Sequence, residues 1–197
     1  MARITVPVRM RWSDIDGYGH VNNAALFTLL EEARIATFWD TGSPTTRTDH
    51  RGDHAADAAS SGAPGDTAGA APAAGAAALA VQQEPEAVAA ARAVAGVLSG
   101  GTDADSHTLI ARQEIEYLAP LRYSQEPVPV HLWIGRIGGA SLDVCYEVRS
   151  PAGDLCARAM SAVVLVEAAS GRPRRLTGPE RAALETLLDD PIEFRRR

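Results

Sequence analysis

Residues 22–39 read Asn-Asn-Ala-Ala-Leu-Phe-Thr-Leu-Leu-Glu-Glu-Ala-Arg-Ile-Ala-Thr-Phe-Trp, a run without Gly or Pro. Leu26, Leu29, Leu30, Ala33 and Ala36 recur at the three-and-four spacing that lines one face of a helix. Asn22 or Asn23 is expected to cap its start, because a short amide side chain accepts from the orphan N–H groups of a first turn. Only Glu31, Glu32 and Arg34 are charged in the span. A helix this poor in charge is expected to be largely buried by other elements.

The flanking sequence supplies the cover. In residues 4–12, Ile4, Val6, Val8, Met10 and Trp12 alternate with Thr5, Pro7, Arg9 and Arg11, the period of a strand. Pro7 cannot donate to a ladder, which places this strand at an edge or a bulge. Four further strand-like runs follow at 108–117, 128–134, 141–149 and 155–166. The third alternates Leu142, Val144, Tyr146 and Val148 with Asp143, Cys145, Glu147 and Arg149. Gly138-Gly139 and residues 151–154 supply turns, so the four runs are expected to form antiparallel hairpins in a meander. A lone apolar helix needs a sheet to hide it. The expected class is therefore α+β, with a five-stranded antiparallel sheet wrapped around a central helix, the hot-dog fold. Leu184, Leu187 and Leu188, set among charges in residues 178–188, predict a short amphipathic C-terminal helix.

At 197 residues the chain has room for one domain with an insertion. Residues 55–80 hold a single large apolar side chain, Leu79, among Ala, Gly, Pro, Ser, Asp and Thr. Such a stretch cannot bury enough surface to offset its ordering entropy. The expected organisation is one domain over residues 1–176, interrupted by a low-complexity insertion at about 44–105. A C-terminal helix and basic tail follow at 177–197. Within the insertion, residues 84–98 carry an Ala-rich helical pattern.

Composition narrows the function classes. Hydrophobic residues make up 46% and charged residues 22%, the range of a globular protein. With 19 Lys and Arg against 25 Asp and Glu, the formal net charge is -6, so nucleic acid is not an expected partner. Residues 1–10 lack a continuous apolar core, and no window approaches the roughly 20 apolar residues of a membrane span. Neither secretion nor a membrane partner is expected, which leaves a cytoplasmic location. Cys145 and Cys156 lack metal-ligand spacing and read as buried reduced thiols, so no metal is expected.

The loop at 13–20, Ser-Asp-Ile-Asp-Gly-Tyr-Gly-His, joins the first strand to the helix. The block Arg11-Trp-Ser-Asp-Ile-Asp-Gly-Tyr-Gly-His-Val-Asn-Asn, with Glu31-Glu-Ala-Arg and Ile115-Glu-Tyr-Leu-Ala-Pro-Leu, resembles the 4-hydroxybenzoyl-CoA thioesterase-like family. The resemblance covers about residues 3–40 and 107–176. It implies hydrolysis of acyl-CoA thioesters without a cofactor, coenzyme A being part of the substrate. It also implies a homodimer or homotetramer, with subunits paired into a continuous sheet and sites at their interface. The family's catalytic aspartate falls on Asp16, and the backbone N–H that polarises the thioester carbonyl falls at or near Asn23. Leu26 stands where the family often has Tyr or Phe, and the insertion has no counterpart.

The chemistry fits those residue types. A helix N-terminus offers free N–H groups and a favourable dipole to a developing oxyanion. Asp16 attacks the carbonyl or activates a water, and both roles stay open at this stage. As an alternative, Asp16 is a turn residue bonding nearby N–H groups. His20 orients Asp16, meets the substrate, or ties the loop to the helix. Gly19 and Asn22 are candidate substrate contacts, Asn22 equally a plain cap. Asp14 reads as a loop-ordering carboxylate, and Glu31 and Glu32 as ion-pair partners of Arg34. Arg172, Arg174 and Arg175 are a solvated cluster or ligands for coenzyme A phosphates. Tyr117 and Trp133 are expected to pack in or against the sheet, with a place in the acyl pocket as the lesser alternative. Two other functions use the same fold: a non-catalytic acyl-CoA binding module or sensor, and a hydratase or dehydratase acting on the acyl chain.

Overall fold

The computed structural model describes residues 3–39, Val94, Leu98 and 105–195. Its elements are β1 (Ile4–Val8), a 3-10 turn (Trp12–Asp14), α1 (Asn23–Phe38), β2 (Ser106–Tyr117), β3 (Val128–Ile137), β4 (Ser141–Arg149), β5 (Leu155–Glu167) and α2 (Gly178–Glu185). All five strands join one antiparallel sheet in the order β1-β3-β4-β5-β2. The five-stranded sheet with a helix against its apolar face is the arrangement expected from the sequence.

Register shows how the two faces separate. Ile4, Leu132, Tyr146, Ala159 and Ile115 are successive cross-strand partners, and the first four are buried in the core that α1 shares. One residue along, the row is Thr5, His131, Glu147, Arg158 and Glu116, polar from edge to edge. Side chains alternate faces along a strand, so a slip of one residue would exchange these rows. The polar row faces away from α1.

Helix α1 begins where Asn22 caps it, its side-chain oxygen accepting from Ala24 N–H at 2.8 Å. Leu26, Leu29, Leu30 and Ala33 are buried as the spacing predicts. Ala36 is not, and Thr37 and Phe38 close that face instead. From Ala33 a step of four residues stays nearer the stripe than a step of three. The helix also keeps an exposed side at Ala24, Thr28, Glu31 and Ala36, so it is less fully buried than its composition predicts.

Two other expectations need correction. The first strand ends at Val8, and Trp12 opens the 3-10 turn with 76% of its surface exposed. Asp14 turns the chain there by accepting from Arg11 N–H at 2.6 Å, and Trp12 meets Tyr123 edge to face. The four later strands are also not one meander. β3, β4 and β5 pair in sequence, but β2 pairs with β5 at the far edge. The physical reason lies in residues 118–127, which leave the sheet instead of turning back. Leu118 and Ala119 N–H both donate to Cys156 C=O, and Val21 N–H donates to Leu121 C=O. The segment thereby crosses to the loop ahead of α1.

Helix α2 packs into the same core, and the segment beyond it reaches the polar side. Thr177 and Glu180 form a reciprocal capping box at the start of α2, which buries Leu184. Beyond it, Ile134 bonds Leu187 and Asp189, and Trp133 Nε1 donates to Asp190 C=O at 2.8 Å. A Cβ at position 135 would lie 2.6 Å from Cys145 Sγ and 3.1 Å from Pro191 Cα, so this close crossing requires glycine. Most of the expected insertion lies outside the described residues. Val94 and Leu98, four apart, are both buried in the same core. Among the described residues no helix is long and apolar enough to cross a membrane.

Candidate active site

The loop between β1 and α1 is built around one carboxylate. Asp16 Oδ1 accepts from Tyr18 N–H at 2.9 Å and from His20 N–H at 3.1 Å. Asp16 N–H in turn donates to His20 C=O at 2.8 Å, and Gly19 N–H donates to Asp16 C=O at 3.1 Å. The turn requires Gly19 in the left-handed region, at φ 78°. Asp16 is thus the turn-bonding residue that Gly-rich loops commonly contain. That use occupies only Oδ1. Among the described residues no hydrogen bond reaches Oδ2.

The remaining walls come from distant parts of the chain. A cavity of about 340 Å³ is lined by Asp16, His20, Val21, Asn23 and Leu26 on one side. Tyr117, the 118–121 segment, Cys156 and Ala157 line the other. The crossing of residues 118–127 therefore closes the site as well as the fold. Asn23 is the first residue of α1, and among the described residues its N–H has no acceptor. A free amide at a helix N-terminus is a donor aimed outward with the dipole behind it.

Of the residues singled out in the sequence, Asp16, His20 and Asn23 come together in this cavity. His20 meets Asp16 through its backbone, and its ring has no hydrogen-bond partner among the described residues. Gly19 and Asn22 are not among the lining residues: Gly19 makes the turn and Asn22 the helix cap. Asp14 orders the loop, as expected, and its C=O also accepts from Asn22 N–H. Leu26, 4% exposed, sits in the wall.

The charged groups nearby have structural partners. Arg34, 8% exposed, reaches Glu31 at 3.5 Å and donates to Tyr146 Oη at 3.3 Å, while Glu32 pairs with Arg11 instead. Arg174 clasps both oxygens of Glu180 at 2.7 and 3.0 Å, which leaves it engaged at the start of α2. This bond holds the Glu180 carboxyl down at about 2.

Tyr117, read chiefly as packing against the sheet and less as a pocket residue, and Cys156, read as an inert thiol, both line the cavity. Cys145 and Cys156 are free and buried as expected, and burial pushes both thiols up, away from the reactive thiolate. The signal for Tyr117 is its place in the second sequence block; Cys156 gives none, because only the crossing segment brings it to the site. Among the described residues no three His, Cys, Asp or Glu side chains group as metal ligands.

Comparison with known proteins agrees with this architecture. Similar solved structures include a predicted thioesterase from Bacillus stearothermophilus, at 20% identity and TM-score 0.58, over 96% of this chain and 99% of that one. A thioesterase from Thermus thermophilus, complexed with coenzyme A and Zn, is similar at 22% identity and TM-score 0.55, over 96% of each chain. A DHNA-CoA thioesterase from Staphylococcus aureus is similar at 12% identity and TM-score 0.58, over 94% of this chain and 90% of that one. At such identities the likeness establishes the fold. No curated protein matches the chain. The family model of the thioesterase-like superfamily matches residues 10–184, a span that takes in the loop, α1, all the later strands and most of α2. The chain therefore belongs to the thioesterase-like superfamily, and it is a thioester hydrolase with the hot-dog fold.

Proposed function

We propose that this enzyme hydrolyses acyl-CoA thioesters to a free acid and coenzyme A, with Asp16 as nucleophile or general base. Asn23 N–H, at the start of α1, receives the thioester oxygen as negative charge develops on it. The observation that carries the reading is the cavity shared by Asp16 and a helix N-terminus, where among the described residues neither Asp16 Oδ2 nor Asn23 N–H has a hydrogen-bond partner. A carboxylate on one side of a carbonyl and a donor on the other are the two groups acyl transfer needs. His20, at the same wall, contacts the substrate. The apolar lining by Val21, Leu26, Leu121 and Ala157 receives the acyl group.

In this reading the reaction needs no cofactor, the protein works in the cytoplasm, and neither nucleic acid nor membrane is a partner. Two copies associate edge to edge through β2, which closes one side of the sheet and exposes Leu109 and Ile110. The test is release of coenzyme A from a panel of aromatic, medium-chain and long-chain acyl-CoA esters, read with a thiol reagent. Release that depends on Asp16 supports the reading. Binding of acyl-CoA without release would favour a sensor.

A further inference from the structure

Tyr117 ends β2 and is 46% exposed, yet its hydroxyl donates to Asn23 C=O at 3.2 Å. The bond joins the edge strand of the sheet to the first residue of α1, 94 positions away in sequence. Both residues line the cavity that holds Asp16. The other restraints near this helix start are Asn22 capping Ala24 N–H, Asn22 N–H on Asp14 C=O and, two residues earlier, Val21 N–H on Leu121 C=O of the opposite wall. Tyr117 alone among the described residues ties Asn23 to the opposite wall. Partial burial pushes the phenol up, so the hydroxyl keeps its proton and remains a donor.

We infer that Tyr117 is a positioning residue for thioester hydrolysis: its hydroxyl holds the Asn23–Ala24 peptide and, through the Asn23 Cα, restrains the preceding peptide so that Asn23 N–H stays aimed into the cavity. The inference rests on the proposed role of Asn23. A donor preorganised towards the developing oxyanion acts on the chemical step, and a small misplacement weakens it. The aromatic ring is a separate matter, since it forms cavity wall whether or not the hydroxyl is present.

The test is Tyr117→Phe, which keeps the ring and removes the bond. Two readouts are taken on the folded full-length protein, with Asp16→Asn as the inactive reference. In steady-state hydrolysis, kcat falls about three- to tenfold with KM unchanged, the range expected for one neutral hydrogen bond, and Tm falls by no more than the few degrees that such a bond supplies. In amide hydrogen exchange, the bonded amides of the helix start, Ala24 and Leu26, exchange faster in the variant. A loss of packing alone would instead move KM and Tm together. Wild-type kcat in Tyr117→Phe, or unchanged exchange in the first turn, overturns the inference. If the wild type releases no coenzyme A, the functional reading fails separately, and the exchange result still decides whether Tyr117 holds the helix start.

Discussion

Asp16 and His20 close a five-residue loop on each other: Asp16 N–H donates to His20 C=O at 2.8 Å, and His20 N–H returns a bond to Asp16 Oδ1 at 3.1 Å. One carboxylate thus orders its own loop with one oxygen, and among the described residues the other has no hydrogen-bond partner. The two uses separate by substitution. Asp16→Asn retains an oxygen that accepts from Tyr18 and His20 and should melt close to the wild type. Asp16→Ala leaves both N–H groups without that acceptor and should lose about 1 kcal/mol, read as a lower urea midpoint.

Leu26 lines the cavity between α1 and the 118–121 segment. Leu26→Val removes one methylene from a buried side chain, so it should destabilise by about 1 kcal/mol. It should also raise kcat/KM for longer acyl groups relative to shorter ones. A chain-length profile identical to that of the wild type would remove Leu26 from the acyl pocket.

The Arg174–Glu180 clasp makes a pH-dependent contribution. Folding lowers the Glu180 pKa from 4.5 to about 2, chiefly through the Arg174 side-chain bonds. A depressed carboxyl stabilises the fold above its unfolded pKa, and the contribution is lost as pH falls through the folded value. Glu180→Gln should therefore be less stable than wild type by about 1–2 kcal/mol at pH 7. The gap should shrink between pH 4.5 and about 2. A gap that persists at the lower end of that window would assign the loss to the α2 cap alone.

The edge strand makes the oligomer testable. Leu109 is 54% exposed on β2. Sedimentation should give the mass of two or four chains for the wild type and a smaller assembly for Leu109→Glu. A wild type sedimenting as one chain would exclude association through β2.

Much of this is legible in the sequence, for identifiable reasons. Strand β4 and the buried stripe of α1 follow local periodicity, and Pro7 marks an edge that β1 does occupy, pairing among the described residues only with β3. Asp16, Asn23 and His20 lie within eight consecutive residues, so their convergence needs only one loop and one helix start. Three features stay hidden because they depend on long-range geometry. The pairing of β2 with β5 is a choice of neighbour that alternation cannot encode. Trp12 continues the strand pattern, yet Asp14 has already turned the chain. Tyr117 and Cys156 reach the site only through the crossing of residues 118–127, which is set by backbone bonds to Cys156 and Leu121.

In the proposed mechanism one oxygen of Asp16 does the chemistry while the other holds the loop. The most direct measurement is coenzyme A release by Asp16→Asn beside the wild type, with circular dichroism and melting on the same samples. The account predicts a folded variant of near wild-type stability whose kcat/KM falls at least about a hundredfold, the scale of a lost acid–base group. Wild-type turnover by the folded Asp16→Asn protein would contradict it.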